Sequence, residues 1–161
     1  EGQRRQRSIP EISYVLATGY HETQRWKYDE EIGQGRGRDY GKPLLLIRGV
    51  YASYHGRGDT QLTWLQNYAR MSCALTREHD REINLVEHPE LAKVPEYSSL
   101  IIWEGAVRGM FTGKNLADYF SNDAKDYRGA RRIINGTDKA KKIARYAETF
   151  EAALIAGGVV A

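Results

Sequence analysis

Two acidic residues, Glu22 and Glu31, stand nine positions apart in the stretch YHETQRWKYDEEIGQGRGRDYG, which runs from Tyr20 to Gly41. Cleavage of a glycosidic bond uses two carboxyl groups. One is protonated and supplies the leaving oxygen with a proton, and the other is ionised and activates water or stabilises the developing cation. Glu22 and Glu31 are candidates for such a pair, with Glu30 as an alternative second acid. Judged by spacing alone, solvated surface charge is the more common explanation of such residues.

The first helix is expected to end close to Glu22. Ser8-Ile9-Pro10-Glu11 has the pattern of a capping box, and apolar residues at three- and four-residue steps predict a helix from about Ile9 to Gln24. A carboxyl group near the C-terminal end of a helix meets an unfavourable dipole. Partial burial also favours its protonated form, which is the form that a general acid needs at neutral pH.

The region after this helix is rich in glycine. Residues 25 to 58 contain seven glycines and short β-prone pieces such as Leu44-Leu45-Leu46-Ile47, so they predict a small irregular sheet with loops. Helical periodicity returns at Gln61 and continues to about Ile155, where Gly157-Gly158 end the last helix. The predicted fold class is α+β, mainly α, with one domain over residues 1–161 and a β region inserted after the first helix.

Composition narrows the class of protein. Hydrophobic residues make up 41% and charged residues 28%, and no apolar run approaches the ~20 residues of a membrane helix. The opening Glu1–Arg7 lacks the apolar segment of a signal peptide and is compatible with a truncated start. The net charge of +3 favours an anionic partner, either nucleic acid or a cell-wall polymer.

Several other kinds of site are disfavoured. Cys73 is the single cysteine, which excludes an intrachain disulfide and a Cys-based zinc site, and its place in an apolar helical pattern predicts core packing. His21-Glu22 lacks the second histidine of a zinc protease, so no metal is expected. Gly33-x-Gly35-x-Gly37 lacks the end of a phosphate loop. The tripeptide Arg57-Gly58-Asp59 would need an exposed loop tip to act in cell adhesion.

Four motifs occur in one order along the chain, and together they carry a resemblance. They are His21-Glu22-Thr23, Gly33-x-Gly35-x-Gly37-Arg38-x-Tyr40-Gly41, Tyr54-His55-Gly56-Arg57-Gly58-x-x-Gln61-Leu62-Thr63-x-x-x-Asn67-Tyr68 and Ala130-Arg131-Arg132-Ile133-Ile134-Asn135-Gly136. With them the chain, from about Ser8 to Leu154, resembles the phage endolysins related to family 19 chitinases, within the lysozyme-like superfamily. The resemblance implies a lysozyme-like helical domain.

The resemblance also implies roles for individual residues. Glu22 matches the general acid, and Glu31 matches the second acid, which holds the attacking water in the inverting chitinases. The implied substrate-binding residues are Gln61, Thr63, Asn67 and Asn135. To these we add Tyr54 and Arg57. Tyr54 is an aromatic residue that could stack on a sugar, and Trp64 is an equal candidate for that role. Arg57 could pair with a carboxylate of the site.

The activity implied is that of a peptidoglycan hydrolase, a muramidase that cleaves the β-1,4 bond between N-acetylmuramic acid and N-acetylglucosamine. A chitinase, a lytic transglycosylase, a catalytically silent wall-binding protein and a basic nucleic-acid binder remain alternatives. His55, Asp59 and Lys139 depart from the chitinase pattern and favour the endolysin branch. The resemblance implies a phage-encoded monomer without a cofactor, which acts from the host cytoplasm and then in the periplasm and cell wall.

Overall fold

The structure, a computed structural model, describes residues 7–46, 49, 51–121 and 124–159. Contacts between Cα atoms divide the chain into two compact units. One unit is the continuous segment Gly19–Glu104, and the other combines the residues up to Thr18 with those from Gly105 onward. The described residues are mainly helical, with a two-stranded antiparallel sheet after the first helix, which confirms the predicted fold class. The single lysozyme-like catalytic domain stays a prediction.

Helix α1 spans Ile9–Glu22 and begins with the predicted capping box. The backbone N–H and the hydroxyl of Ser8 donate to Glu11 Oε2 at 3.0 and 2.9 Å, and the N–H of Glu11 donates back to the Ser8 hydroxyl at 3.4 Å. These reciprocal bonds satisfy backbone groups that an open helix end would leave unpaired. The helix ends two residues before the predicted Gln24, so that Glu22 is its last residue.

The unit Gly19–Glu104 contains the small sheet and the second helix. Strands β1 (Leu44–Leu45) and β2 (Tyr51–Ala52) pair antiparallel, with Leu44 opposite Ala52. Of the predicted strand, Leu46 lies outside β1, and Ile47 lies outside the described residues. Helix α2 spans Leu65–His79, a 3-10 turn spans Pro89–Lys93, and helix α3 spans Pro95–Arg108. The core of this unit is formed by Tyr54, Leu62, Tyr68, Met71, Leu75, Ile83, Leu85, Ala92, Ile101 and Ile102.

Two expectations for α2 were wrong. The helix begins at Leu65 instead of Gln61, because Gln61 and Trp64 have φ of 51° and 75° and cannot belong to a right-handed helix. Cys73 is exposed instead of buried. The buried face of α2 follows Tyr68, Met71 and Leu75, and a residue two positions after Met71 points away from that face.

The other unit is built from α1 and the C-terminal helices. It contains a 3-10 turn at Leu116–Asp118, helix α4 (Tyr127–Ala130), a 3-10 turn at Arg131–Ile133 and helix α5 (Ala140–Ala156). The hydroxyl of Tyr14 donates to the carbonyl of Ala130 at 2.8 Å, which ties α1 to α4. Helix α5 ends at Gly157 as predicted. Neither α5 nor any other helix of the described ranges is long and apolar enough to cross a membrane.

Candidate active site

Glu22 is half-buried at the end of α1 and is followed by a strained turn. The hydroxyl of Thr23, a residue only 1% exposed, donates to the carbonyl of Gly19 at 2.7 Å and accepts the N–H of Trp26 at 2.8 Å. The three residues from Gln24 to Trp26 have φ of 51°, 70° and 57°, in the left-handed region. Each such residue costs on the order of 1 kcal/mol. Thr23 therefore holds an unfavourable backbone in place directly after Glu22.

Glu31 is held by hydrogen bonds to both of its carboxylate oxygens. The hydroxyl of Tyr40 donates to Oε1 at 3.0 Å, and the backbone N–H of Gly56 donates to Oε2 at 3.2 Å. The N–H of Glu31 itself donates to the carbonyl of Gly56 at 2.8 Å. The pKa of Tyr40 is raised, chiefly because its hydroxyl donates to Glu31, so Tyr40 keeps its proton at neutral pH. These donors fix the orientation of the Glu31 side chain.

Tyr40 is positioned by a close approach of two glycines. A Cβ atom on Gly35 would lie 2.8 Å from both Gly41 Cα and the Tyr40 ring, and a Cβ atom on Gly41 would overlap the carbonyl of Gly35. Gly35 also has φ of 68°, which favours glycine. The glycine-rich pattern of the sequence therefore has a structural cause, since it lets the loop close on itself beside Tyr40.

Glu30 faces a different set of partners from Glu31. Its Oε1 lies 2.8 Å from His55 Nε2 and 3.3 Å from Arg57 Nε, and its Oε2 accepts a hydrogen bond from Lys93 Nζ at 3.1 Å. Burial by itself would raise the pKa of Glu30, but the hydrogen bonds from His55 and Lys93 outweigh it and lower the pKa to about 2. Glu30 is thus an ionised structural carboxylate, and the geometry distinguishes it from Glu31.

Backbone hydrogen bonds bring these segments together. The N–H of Gly58 donates to the carbonyl of Asp29 at 2.7 Å, and the N–H and carbonyl of Arg57 pair with those of Leu62 at 3.2 and 2.8 Å. Residues 29–31 therefore pair with residues 56–58, which pair in turn with Leu62. Gly58 has φ of 72°, and a Cβ atom there would overlap the carbonyl of Ala92. Segments from separate motifs of the sequence are thus joined side by side by backbone hydrogen bonds, as a short antiparallel ladder.

Tyr54, which was expected to stack on a sugar, and Arg57, which was expected to pair with a carboxylate of the site, are both interior side chains. Tyr54 is 1% exposed, and its hydroxyl donates to the carbonyl of Val86 at 2.9 Å. Arg57 is 7% exposed and donates from Nη1 to the carbonyl of Ser53 at 2.8 Å. A sugar cannot stack on a ring that the protein already covers, so the stacking role expected of Tyr54 is wrong, whereas Arg57 does contact a carboxylate, that of Glu30, at 3.3 Å. The same burial of Arg57 and Gly58 removes the adhesion tripeptide from any exposed loop tip.

Gln61, Thr63 and Asn67 are half-buried and linked by hydrogen bonds to the backbone. Gln61 Nε2 donates to the carbonyl of Gly58 at 3.2 Å, and the hydroxyl of Thr63 donates to the carbonyl of Gln61 at 2.6 Å. Asn67 Nδ2 donates to the carbonyl of Thr63 at 2.8 Å. Within the described part of the chain, no donor binds the side-chain oxygens of Gln61 and Asn67, which leaves both as acceptors for a ligand hydroxyl or amide.

Trp64 is the exposed aromatic residue beside this group. Its side chain is 43% exposed, and its ring contacts the ring of Tyr40 edge to face at a centroid distance of 5.2 Å. Tyr40 in turn binds Glu31. Of the two aromatic residues proposed to stack on sugar, Trp64 is therefore the one with an accessible ring. The ring of Trp64 is therefore connected to Glu31, a candidate catalytic carboxylate, through Tyr40, which contacts both residues.

Asn135 belongs to the other unit, where it is exposed and follows the 3-10 turn Arg131–Ile133. Its N–H donates to the carbonyl of Arg131 at 3.1 Å. Its role in substrate binding stays a prediction. Among the residues for which the structure gives positions, no group of three or more His, Cys, Asp or Glu is arranged to hold a metal ion.

Three further residues contribute to this site without having been assigned a role from sequence. Tyr40 and Thr23 lie within the quoted motifs, where a hydroxyl beside an acid is a signal that could have been used. Lys93 had no such signal, because 63 positions separate it from Glu30. The contact exists because the 3-10 turn Pro89–Lys93 brings its last residue back to the ladder.

Comparison of the chain with protein-family models gives no match, and comparison with curated proteins gives none either. A functional assignment therefore depends on the carboxylates, their partners and the order of motifs along the chain.

Proposed function

We propose that the protein is a peptidoglycan hydrolase that cleaves the β-1,4 bond between N-acetylmuramic acid and N-acetylglucosamine. Glu22 is the general acid and Glu31 is the second carboxylate. Both lie in the continuous unit Gly19–Glu104. The resemblance to phage endolysins supplies the class of substrate and the two roles, and the side-chain arrangement around Glu31 supports them.

The observation that carries the proposal is the difference between two adjacent carboxylates. Glu30 pairs with His55, Arg57 and Lys93, and these contacts stabilise the fold. Glu31 is half-buried like Glu30, but among the described residues it is bound only by the hydroxyl of Tyr40 and the N–H of Gly56. An oriented carboxylate without a cationic partner is suited to hold a water molecule or to stabilise a developing positive charge.

The proposed reaction begins with proton transfer from Glu22 to the glycosidic oxygen as the bond from C1 to that oxygen breaks. Water held by Glu31 attacks C1 and gives its proton to that carboxylate, so the product carries a reducing end. The side-chain oxygens of Gln61 and Asn67 accept hydrogen bonds from sugar hydroxyl or amide groups. The exposed ring of Trp64 provides an apolar face for a sugar ring.

The test is digestion of purified peptidoglycan in water enriched in ¹⁸O by the wild type, Glu22→Gln and Glu31→Gln, with products identified by mass spectrometry. We expect reducing muropeptides that carry one ¹⁸O from the wild type and none above background from Glu22→Gln. Loss of activity in Glu31→Gln is expected as well. Circular dichroism and thermal unfolding would show that the inactive variants are folded.

Each other outcome assigns a different activity. Anhydro products from a Glu31→Gln variant that keeps its rate would indicate a lytic transglycosylase, since that reaction needs one acid. An inactive wild type would be tested on chitin oligomers, and cleavage there would replace the muramidase proposal with a chitinase. Inactivity on both substrates would contradict the proposal and leave a binding protein.

A further inference from the structure

A basic cleft lies in the unit that does not contain the two carboxylates. It has a volume of about 740 Å³. It is formed by the start of α4, the 3-10 turn that follows it, and the turn into α5. The residues that line it are Asp126, Arg128, Gly129, Arg132, Thr137, Asp138, Lys139, Ala140, Lys141 and Lys142.

The net charge of this cleft equals that of the whole chain. Five of the lining residues are cationic and two are acidic, which leaves +3, the same value as the net charge of the whole chain. All five cationic residues are exposed. Outside the cleft, positive and negative charges therefore balance. A modest net charge thus conceals a local excess that attracts anions.

The cations of the cleft are mostly unpaired. Asp126 accepts the N–H of Gly129 at 2.8 Å as the N-cap of α4, and Asp138 lies 3.6 Å from Lys139. Within residues 124–159 and the other described ranges, no carboxylate lies within ion-pair distance of Arg128, Arg132 or Lys141. Unpaired like charges held close together repel one another, so a bound anion would stabilise this arrangement.

The N-terminal end of α5 adds to the positive electrostatic potential of the cleft. The helix begins after Lys139, which has φ of 58° and provides no side-chain cap, and its first turn contains Lys141 and Lys142 instead of an acidic residue. Lysines at the positive end of a helix dipole are unfavourable by themselves. An anion at this end would interact with the dipole and with the lysines together.

The lining also indicates which anion fits. Arg128 lies in α4 and Arg132 in the 3-10 turn that follows it, and both residues line the cleft. Guanidinium groups bind phosphate oxygens in pairs of parallel hydrogen bonds. Of the ten described residues that line the cleft, none is aromatic or a large aliphatic. Single-stranded nucleic acid is held by stacking on aromatic rings, and membrane surfaces by apolar insertion, so neither is favoured.

We propose that this cleft binds consecutive phosphate groups of a linear anionic polymer that carries phosphate in its backbone. The polymer need not be the one that is cleaved. If the proposed function holds, this cleft would retain the enzyme on a wall that carries such polymers, and that link rests on the proposed function.

The test is binding of the full chain to inorganic polyphosphate, measured by fluorescence anisotropy at several salt concentrations. The triple variant Arg128→Gln/Arg132→Gln/Lys141→Gln would be compared with Arg70→Gln/Arg77→Gln/Lys114→Gln. The second variant removes the same charge from exposed positions outside the cleft. We expect the cleft variant to bind about 10-fold or more weakly. Its affinity should also depend less steeply on salt, because a complex with fewer phosphate contacts releases fewer counterions when it forms. The control variant should change affinity by less than about 3-fold, since screened distant charges contribute little.

Other results would overturn the proposal. Equal losses in the two triple variants would show that net charge alone drives binding. Equal affinity of the wild type for polyglutamate would show that the cleft does not select phosphate. Binding to phosphatidylglycerol vesicles without binding to polyphosphate would replace the polymer with a membrane surface. Because binding is measured without turnover, a failure of the peptidoglycan hydrolase proposal would leave this result unaffected.

Discussion

The hydroxyl of Tyr40 donates a 3.0 Å hydrogen bond to Oε1 of Glu31, nine residues before it in the chain. The contact connects an exposed aromatic surface with a candidate catalytic carboxylate, because the ring of Tyr40 also packs against Trp64. A single residue thus orients the carboxylate and supports the face on which a sugar is proposed to stack.

Tyr40→Phe removes this donor and keeps the ring. A hydrogen bond to a charged group contributes about 1.5–3 kcal/mol, so we expect kcat on peptidoglycan to fall by about 10- to 100-fold. The thermal unfolding midpoint should change little, because the ring contacts remain. Tyr51→Phe is the matched control, since Tyr51 is 68% exposed. An unchanged kcat in Tyr40→Phe would contradict the orienting role assigned to Tyr40.

Glu30→Gln is expected to destabilise the fold in a pH-dependent way. The pKa of Glu30 is lowered from 4.5 to about 2 in the folded state, so its stabilisation is present above pH 4.5 and is lost as the pH falls towards 2. The Glu30 side chain is 23% exposed, so solvent screens part of this interaction. After allowance for that screening, we expect Glu30→Gln to lower the free energy of unfolding by about 2 kcal/mol at pH 7.

Urea unfolding of the wild type and Glu30→Gln at pH 7, 5 and 3 would measure this difference. The gap between the two proteins should shrink as the pH decreases, because the wild-type carboxylate gains a proton and the Gln variant cannot. Glu90→Gln is the control, since Glu90 forms an exposed pair with His88. A gap that stays constant with pH would show that the charge of Glu30 is not what stabilises the fold.

Thr23→Val tests the turn behind Glu22. The substitution keeps the side-chain shape and removes the hydroxyl that links the Gly19 carbonyl to the Trp26 N–H. We expect the free energy of unfolding to fall by about 1–3 kcal/mol and kcat to fall with it, because Glu22 loses its fixed position. Thr23→Ser keeps the hydroxyl and should restore most of the activity. Equal activity in Val and Ser variants would refute the link between the turn and Glu22.

Gly35→Ala and Gly37→Ala separate backbone strain from steric overlap. Both glycines have left-handed φ, 68° and 79°, so both substitutions carry a backbone cost of about 1 kcal/mol. A Cβ atom on Gly37 meets nothing within 4 Å, whereas one on Gly35 lies 2.8 Å from Gly41 Cα and the Tyr40 ring. We expect Gly35→Ala alone to lower kcat, by displacing Tyr40. Equal kcat values in activity assays of the two variants would refute the proposed positioning.

Local sequence signals predicted several parts of the fold because the interactions that form them are local. The capping box of Ser8 and Glu11 joins residues three positions apart, and Gly157 ends α5 with its own N–H bonded to the carbonyl of Ala153. The position of Glu22 at the end of α1 follows from the same short-range periodicity. In each case the residues that determine the structure lie within one or two turns of one another.

The start of α2 and the environment of Glu30 could not be predicted in this way. Gln61 adopts φ of 51° because Arg57 and Leu62 pair through their backbones, which pulls the chain away from a helix before Leu65. Lys93 reaches Glu30 across 63 positions. Periodicity reports which face of an element is apolar, and it contains no information on which distant cation approaches a given carboxylate.

The continuous unit Gly19–Glu104 contains Glu22, Glu31 and every described partner of Glu31. The other unit is assembled from both ends of the chain. A single uninterrupted stretch of the gene therefore encodes the carboxylate pair together with the loop that orients it. Two recombination events, one on each side of that stretch, would transfer the whole arrangement into a related gene, whereas the basic cleft near α5 would be inherited separately.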